Sequence, residues 1–246
     1  MTIPRFPLPS GQPVFGKIII SGSSFRHLTK VLRVKAGEMV SFYDQEGYEY
    51  PSVVEFITGD EARCIISQKI KKGKERNSRL TLIQGLLKRD KMDFLVEKAS
   101  ELGVYKIIPI ITERSEIRIP EEKINSRIIH WEKIAEGAIS QSRRSFIPII
   151  EPPKPFKKAI ELCSAEQTLF LSEEIIEKNL KDTVKTLKHF MEISIIVGPP
   201  GGFSKDEVTL VKGKGFNIVG LKEAILRSET AAIAVLSVVQ YELGNL

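Results

Sequence analysis

The chain has 246 residues, 42% hydrophobic and 28% charged, with a net charge of +6; this suits a soluble globular protein of one or two domains and favours an anionic partner without specifying one. Cys64 and Cys163 are the only cysteines, and His27, His130 and His189 the only histidines, all scattered, so neither a disulfide framework nor a metal centre is expected. No run reaches the length of a membrane span and the N-terminal MTIPRFPLPSGQP lacks a signal-peptide core, so a cytoplasmic protein with no membrane partner is expected.

Val14 to Ile20 reads as a strand. Ser23 or Ser24 can cap a short helix through Arg33, with His27, Lys30 and Arg33 along it. Met39 to Tyr43 alternates as a strand does, Gln45-Glu46-Gly47 is a turn, and Tyr48 to Ile57 and Ala62 to Ile70 are further strands. Short strands and turns at this rhythm predict a small β-barrel. Lys71 to Arg79, KKGKERNSR, is polar, basic and contains glycine. It reads as a linker, which divides the chain into residues 1–72 and 73–246.

Beyond the linker the pattern becomes α/β. Leu80 to Leu87 is a strand. Asp90 to Leu102 is a helix with Met92, Leu95, Val96 and Ala99 on one face, closed by Gly103. Val104 to Ile111 is a strand, Glu121 to Ser142 a long helix through Trp131, and Pro155 begins a short one. Gln167 to Leu171 is a strand followed by acidic SEEIIE. Ile193 to Val197 is a buried strand, residues 204–214 a helix, Phe216 to Leu221 a strand, and the chain ends on an apolar helix. This alternation predicts a largely parallel sheet with helices on both faces. Neither a GxGxxG turn nor a GxxxxGK[ST] loop is present.

The stretch ISIIVGPPGGFS, 193–204, is the most informative. An apolar strand runs into Gly198-Pro199-Pro200-Gly201-Gly202, which continues neither strand nor helix. Ser204 with Glu207 three residues on is a capping-box signature. Such a turn is either an ordinary β–α connection or a place where backbone N–H groups approach a ligand at the strand ends.

Together with LKEAILRSETA at 221–231, this turn resembles the C-terminal signature of the RsmE family, SPOUT-class methyltransferases that act on N3 of a uridine in 16S ribosomal RNA. LLKRDKMDFLVEKASELGV at 86–104, ERS at 113–115, Trp131, EGAISQSRRSFIP at 136–148 and LFLSEE at 169–174 are similar to further family segments. HLTKVLR at 27–33, after IPRF at 3–6, is similar to its N-terminal domain. Pro200 stands where the family usually has Glu, Lys222 and Ala224 where it usually has Gly and Arg, and Arg89 where it usually has Gly.

The resemblance implies an N-terminal PUA-like β-barrel that binds RNA, and a SPOUT domain with a C-terminal trefoil knot. It implies S-adenosylmethionine (SAM) as cofactor, bound at Leu171, Ser172 and Glu173, at Val197, Gly198, Pro199, Pro200, Gly201 and Gly202, and at Leu221, Ile225, Leu226, Arg227, Thr230 and Ala231. Arg227 is the candidate cation for the anion that forms on uracil, and Glu229 a base or the group that orients Arg227. An ion pair between those two is the structural alternative, and Ser228 and Thr230 can cap the last helix. Arg5, His27 and Arg33, with Lys88, Arg89, Lys91, Arg143 and Arg144, are candidates for RNA contact; Arg5, Arg26, Lys30 and Arg33 also suit a solvated surface. The implied partners are 16S ribosomal RNA or the small subunit and a second copy of the chain, docked through the apolar last helix. The alternatives are a SPOUT enzyme with another RNA target and a non-catalytic RNA- or ribosome-binding relative.

Overall fold

A computed structural model describes residues 3–9, 16–44, 47–71, 78–142, 144, 146–173, 175–187, 191–221 and 225–246. The chain divides into two compact units, Met1–Glu75 with Ile139–Phe146, and Arg76–Ala138 with Ile147–Leu246.

The first unit is a mixed sheet of β1 (Arg5–Pro7), β2 (Lys17–Ser21), β3 (Met39–Tyr43), β4 (Tyr48–Ile57), β5 (Glu61–Ile66) and β6 (Ile70–Lys71). The strand order is β1-β3-β4-β5-β2, with β6 also on β4, and β1–β3 is its parallel pair. Alternation sets the faces: Ile18 and Ile20 of β2 and Ala62 and Cys64 of β5 point inward onto Phe42, Tyr50 and Val54. A register shift between Val54 and Phe56 bends β4, which curls the sheet into a half-barrel. The strand expected from Ala62 to Ile70 breaks into β5 and β6.

The helix between β2 and β3 departs from expectation. It begins at Gly22 as α1 (Gly22–Arg26), with Ser21 rather than Ser23 or Ser24 at its N-cap and no side-chain capping bond. Over His27–Val31 it loosens to π geometry, and Arg33 leaves it with φ 54°, the one left-handed non-glycine residue among those described. Phe25 and Leu28 pin this element to the core.

The second unit is an all-parallel sheet in the order β10-β8-β7-β13-β11-β14-β12, with β9 beside β8. Its strands are β7 (Arg79–Gly85), β8 (Lys106–Ile111), β9 (Ile149–Ile150), β10 (Lys154–Pro155), β11 (Thr168–Leu171), β12 (Lys178–Asn179), β13 (Glu192–Val197) and β14 (Asn217–Gly220). The helices are α2 (Arg89–Glu101), α3 (Glu121–Ser142), α4 (Phe156–Ile160), α5 (Leu180–Thr186), α6 (Lys205–Gly213) and α7 (Ser228–Glu242). β13 lies at the centre and is buried on both faces. Ile193, Ile195 and Val197 join the core of α2, α3, α5 and α7, while Ile196 joins that of α4 and α6. β12 and α5 are additions to the expected elements.

The path at the C-terminus positions the site. α6 packs on one face of the sheet and α7 on the other. Between them β14 is hydrogen-bonded on one edge to β11 and on the other to β12. β11 and β12 are joined to each other through residues 172–177, and Lys178 lies level with Leu171 across Val219. The chain therefore passes between two strands that are themselves connected. That is the path that threading of a loop requires, against the usual rules of connection.

Candidate active site

Three strand ends of the second unit meet at this threaded path. At the end of β13, Gly202 (φ 67°) closes a turn by donating its N–H to Pro199 O (2.8 Å). The expected capping box is formed: Ser204 Oγ accepts from Glu207 N, and a Glu207 carboxylate oxygen accepts from Ser204 N (2.8 Å). The other oxygen of Glu207, which is buried, accepts from Glu113 N (2.9 Å), and Arg114 Nη1 donates to Gly201 O (3.3 Å). The turn is thus backed by residues 113–114, and a Cβ at Gly201 would stand 3.0 Å from Arg114 O.

Close approach governs the rest. A Cβ at Gly85, at the end of β7, would lie 2.3 Å from Pro199 N; one at Gly220, at the end of β14, would lie 2.4 Å from Ile176 Cδ1 and 3.0 Å from Ser172 O. Gln84 Nε2 donates to Gly85 O (2.9 Å) and to Ser228 Oγ (2.9 Å), and Ser228 Oγ donates to Gly198 O. The expectation that Ser228 and Thr230 cap the last helix is corrected here. Arg227 occupies the N-cap with no side-chain capping bond, and the Ser228 hydroxyl is spent on tying α7 to the turn.

These elements enclose a cavity of about 570 Å³, within the range of small-molecule sites. Every residue expected at a cofactor site lines it except Thr230, which is exposed on α7. Its wall also includes residues the sequence reading did not assign to a cofactor, chiefly Ile176, Phe203 and Gly220 on the apolar side and Lys91, Ser228 and Glu229 on the polar side. Lys222 and Ala224 lie outside the described residues. Pro200 is exposed at the rim, without an N–H to offer.

The ion pair in the cavity is not the expected one. Glu229 is buried, and its Oε1 lies 2.9 Å from Lys91 Nζ. Burial would raise its carboxyl pKa, but the hydrogen bonds from Lys91 and from its own backbone N–H, with the Lys91 and Arg227 charges, outweigh that and hold it below its ordinary value. Glu229 is therefore a carboxylate at neutral pH, fixed on Lys91 rather than on Arg227, and poorly suited to the role of base. Arg227 is exposed beside it.

The basic residues expected on RNA separate into groups. In the second unit Lys88 and Arg89 are exposed, whereas Lys91 points into the cavity. In the first unit Arg26, His27, Lys30 and Arg33 are exposed. Arg5 is corrected: its side chain is only 8% exposed, ion-paired with Glu49 and donating to Arg144 O, so its charge is spent inside the unit. Burial pushes the Arg144 guanidinium pKa down, which marks a partly desolvated charge rather than a fully solvated one. Arg143 lies outside the described residues. Among the described residues no group of three His, Cys, Asp or Glu could hold a metal, and no helix is long and apolar enough to cross a membrane.

Residues 74–240 match the family described as an RNA methyltransferase domain, and residues 20–67 the one described as an RNA methyltransferase PUA domain. The chain is 25% identical over 228 residues to the ribosomal RNA small subunit methyltransferase E of Bacillus subtilis, covering 91% of this chain and 89% of that one. It superposes with a TM-score of 0.86 on the ribosomal RNA small subunit methyltransferase E of Neisseria gonorrhoeae bound to S-adenosyl methionine, at 30% identity and 98% coverage of both chains. A protein from Legionella pneumophila, solved in complex with the bound cofactor SAM, gives a TM-score of 0.88 at 29% identity, again with 98% coverage of both.

Proposed function

The chain belongs to the RsmE family of ribosomal RNA small-subunit methyltransferases, and from that premise we propose that it uses SAM to methylate N3 of a uridine in 16S ribosomal RNA. The observation that carries the reading is the cavity at the threaded strand ends. Its lining is the backbone of the Gly198 to Gly202 turn with Gly220, where a Cβ would collide with Ile176, and the side chains of Leu171, Val197 and Leu226, together with the charged Lys91, Glu173, Arg227 and Glu229. A largely apolar slot with a few charged groups suits an adenosine carrying a charged reacting end.

SAM, when bound, supplies a methyl group already activated on a sulfonium, so the protein's work is positioning and electrostatics. Leu171, Ser172 and Glu173, the 197–202 turn, and Leu221, Ile225, Leu226 and Ala231 hold the cofactor. Arg227, exposed at the start of α7, meets the flipped-out target nucleotide, its planar fork matching a base edge or phosphate. Lys88, Arg89, Arg143 and Arg144 contact RNA phosphates, as do Arg26, Lys30 and Arg33. We assign RNA binding to residues 1–72 and methyl transfer to 73–246. The protein is a cytoplasmic homodimer paired through α7, and its partner is 16S ribosomal RNA or the small subunit.

Single-turnover methylation of small-subunit RNA, with SAM affinity measured by calorimetry, tests this assignment. Arg227→Ala is expected to lower the rate by roughly a hundredfold, the scale of losing one preorganised donor, and to leave SAM affinity nearly unchanged. Arg227→Lys restores part of the loss, because it keeps the charge and loses the fork. A normal rate for Arg227→Ala at saturating RNA removes the residue from the reaction.

A further inference from the structure

The Lys91–Glu229 pair does not fully satisfy its own carboxylate. Glu229 Oε2 is buried and has no hydrogen-bond partner among the described residues, so the contact with Lys91 leaves the carboxylate half satisfied. The pair also stands in the cavity wall. Lys91 Nζ spends one N–H on Glu229, which leaves two for an acceptor in the cavity. Its helix is fixed: two residues on, Asp93 accepts from Trp131 Nε1 (3.1 Å) and is hydrogen-bonded to His130 Nε2 (2.8 Å), which clamps α2 to α3. The other charged groups lining the cavity are Arg227 beside Glu229 and Glu173 at the end of β11.

Resting on the uridine reading above, we propose that Lys91 is a further catalytic residue. Held by Glu229, its ammonium donates a hydrogen bond to a carbonyl oxygen of the target uracil and stabilises the charge that forms there as N3 loses its proton. In the reaction the uracil N3–H bond breaks and its proton passes to water. The N3 electron pair forms the N–CH3 bond, and the electrons of the S–CH3 bond return to sulfur. Lys91 stays protonated throughout and Glu229 is its positioning residue. Lys91, 30% exposed in its side chain, is the recessed cation, and Arg227 the outer one that holds the nucleotide.

The test compares wild type with Lys91→Met and with the double variant Lys91→Met/Glu229→Gln, which removes the carboxylate that the single change leaves unpaired. Single-turnover rates are measured on small-subunit RNA from neutral to alkaline pH, with SAM and RNA affinities alongside. Both variants are expected to lose roughly a hundredfold in rate at neutral pH with both affinities held. The gap should narrow as pH rises, because solvent then removes the N3 proton without help. A second readout needs no turnover: RNA carrying 5-fluorouridine at the methylated position is titrated by fluorine NMR in the complex. Wild type should lower the pH at which N3 ionises relative to free RNA, and neither variant should. A wild-type rate in the double variant would show that Lys91 serves only to neutralise Glu229, and would overturn the proposal. So would equal titration of the fluorinated base in all three complexes. If wild type itself forms no N3-methyluridine, the reading on which the proposal rests falls with it.

Discussion

Gly85 and Gly137 show how differently two glycines of one domain are constrained. Gly85 ends β7 directly against the Gly198 to Gly202 turn, where a Cβ would meet Pro199 N at 2.3 Å and Gly198 C at 2.7 Å. Those atoms are backbone and cannot rotate aside, so Gly85→Ala must displace the turn. The expected cost is about 1–3 kcal/mol, as for overpacking generally, together with loss of SAM binding. Gly137, within α3, has nothing within 4 Å of where its Cβ would be, and Gly137→Ala should be neutral or stabilising by up to ~1 kcal/mol. Thermal unfolding and calorimetry on the two variants check this; equal behaviour would mean that the turn does not rest on Gly85. None of this is visible in the sequence, where the two residues have the same chemistry. Lys91 is a similar case. Beside Lys88 and Arg89 it reads as one more surface cation, and only the non-local packing of α2 on α7 brings it to Glu229. Arg5 fails in the opposite sense: Glu49, forty-four positions away on β4, takes a charge that looked available for RNA.

At the scale of elements, long periodic segments were legible and short ones were not. α2, α3 and α6 lie within a residue or two of expectation because their apolar faces repeat over several turns, and α6 also carries the Ser204–Glu207 capping box. β12 has two residues and α5 seven, too few for a period to emerge from the charged run around them. The final helix begins at Ser228, in the Ser228-Glu229-Thr230 segment expected to open it, with the Ser228 hydroxyl bonded to Gly198 O rather than capping. α7 also supports a prediction of its own. Ala232, Val235, Leu236 and Val239 are buried on its inner face, while Val238 and Tyr241 remain 43% and 73% exposed on the outer one. That outer face is where the proposed second copy docks. Val238→Asp combined with Tyr241→Glu should convert a dimer to a monomer in analytical ultracentrifugation without unfolding the chain. A wild-type protein that sediments as a monomer at micromolar concentration contradicts the pairing.

Over the whole molecule the arrangement follows from a parallel sheet that must cover both faces while its chain crosses between joined strands. The crossing places the ends of β11, β13 and β14 together, so that the proposed cofactor cavity draws on residues from Lys91 to Ala231. Alternating strands and helices predicted the parallel sheet, but neither the order of its strands nor the threaded path has a periodic signature; the family resemblance carried by the GPPGGFS and ILRSETA motifs implied the knot, and nothing in the sequence reading implied the strand order. The curled first unit adds an exposed basic surface, including Arg33 in a backbone conformation that side chains seldom adopt. The account's central claim is that these parts serve methyl transfer to one uridine base nitrogen in small-subunit ribosomal RNA. The most direct test maps N3-methyluridine in ribosomal RNA from cells with and without the gene, and adds purified protein and SAM to the unmodified RNA or subunits. One 16S uridine should lose its N3-methyl group in the deletion and regain it with wild-type protein. An unchanged modification map, or a methyl group restored at a different atom or in a different RNA, would contradict the account.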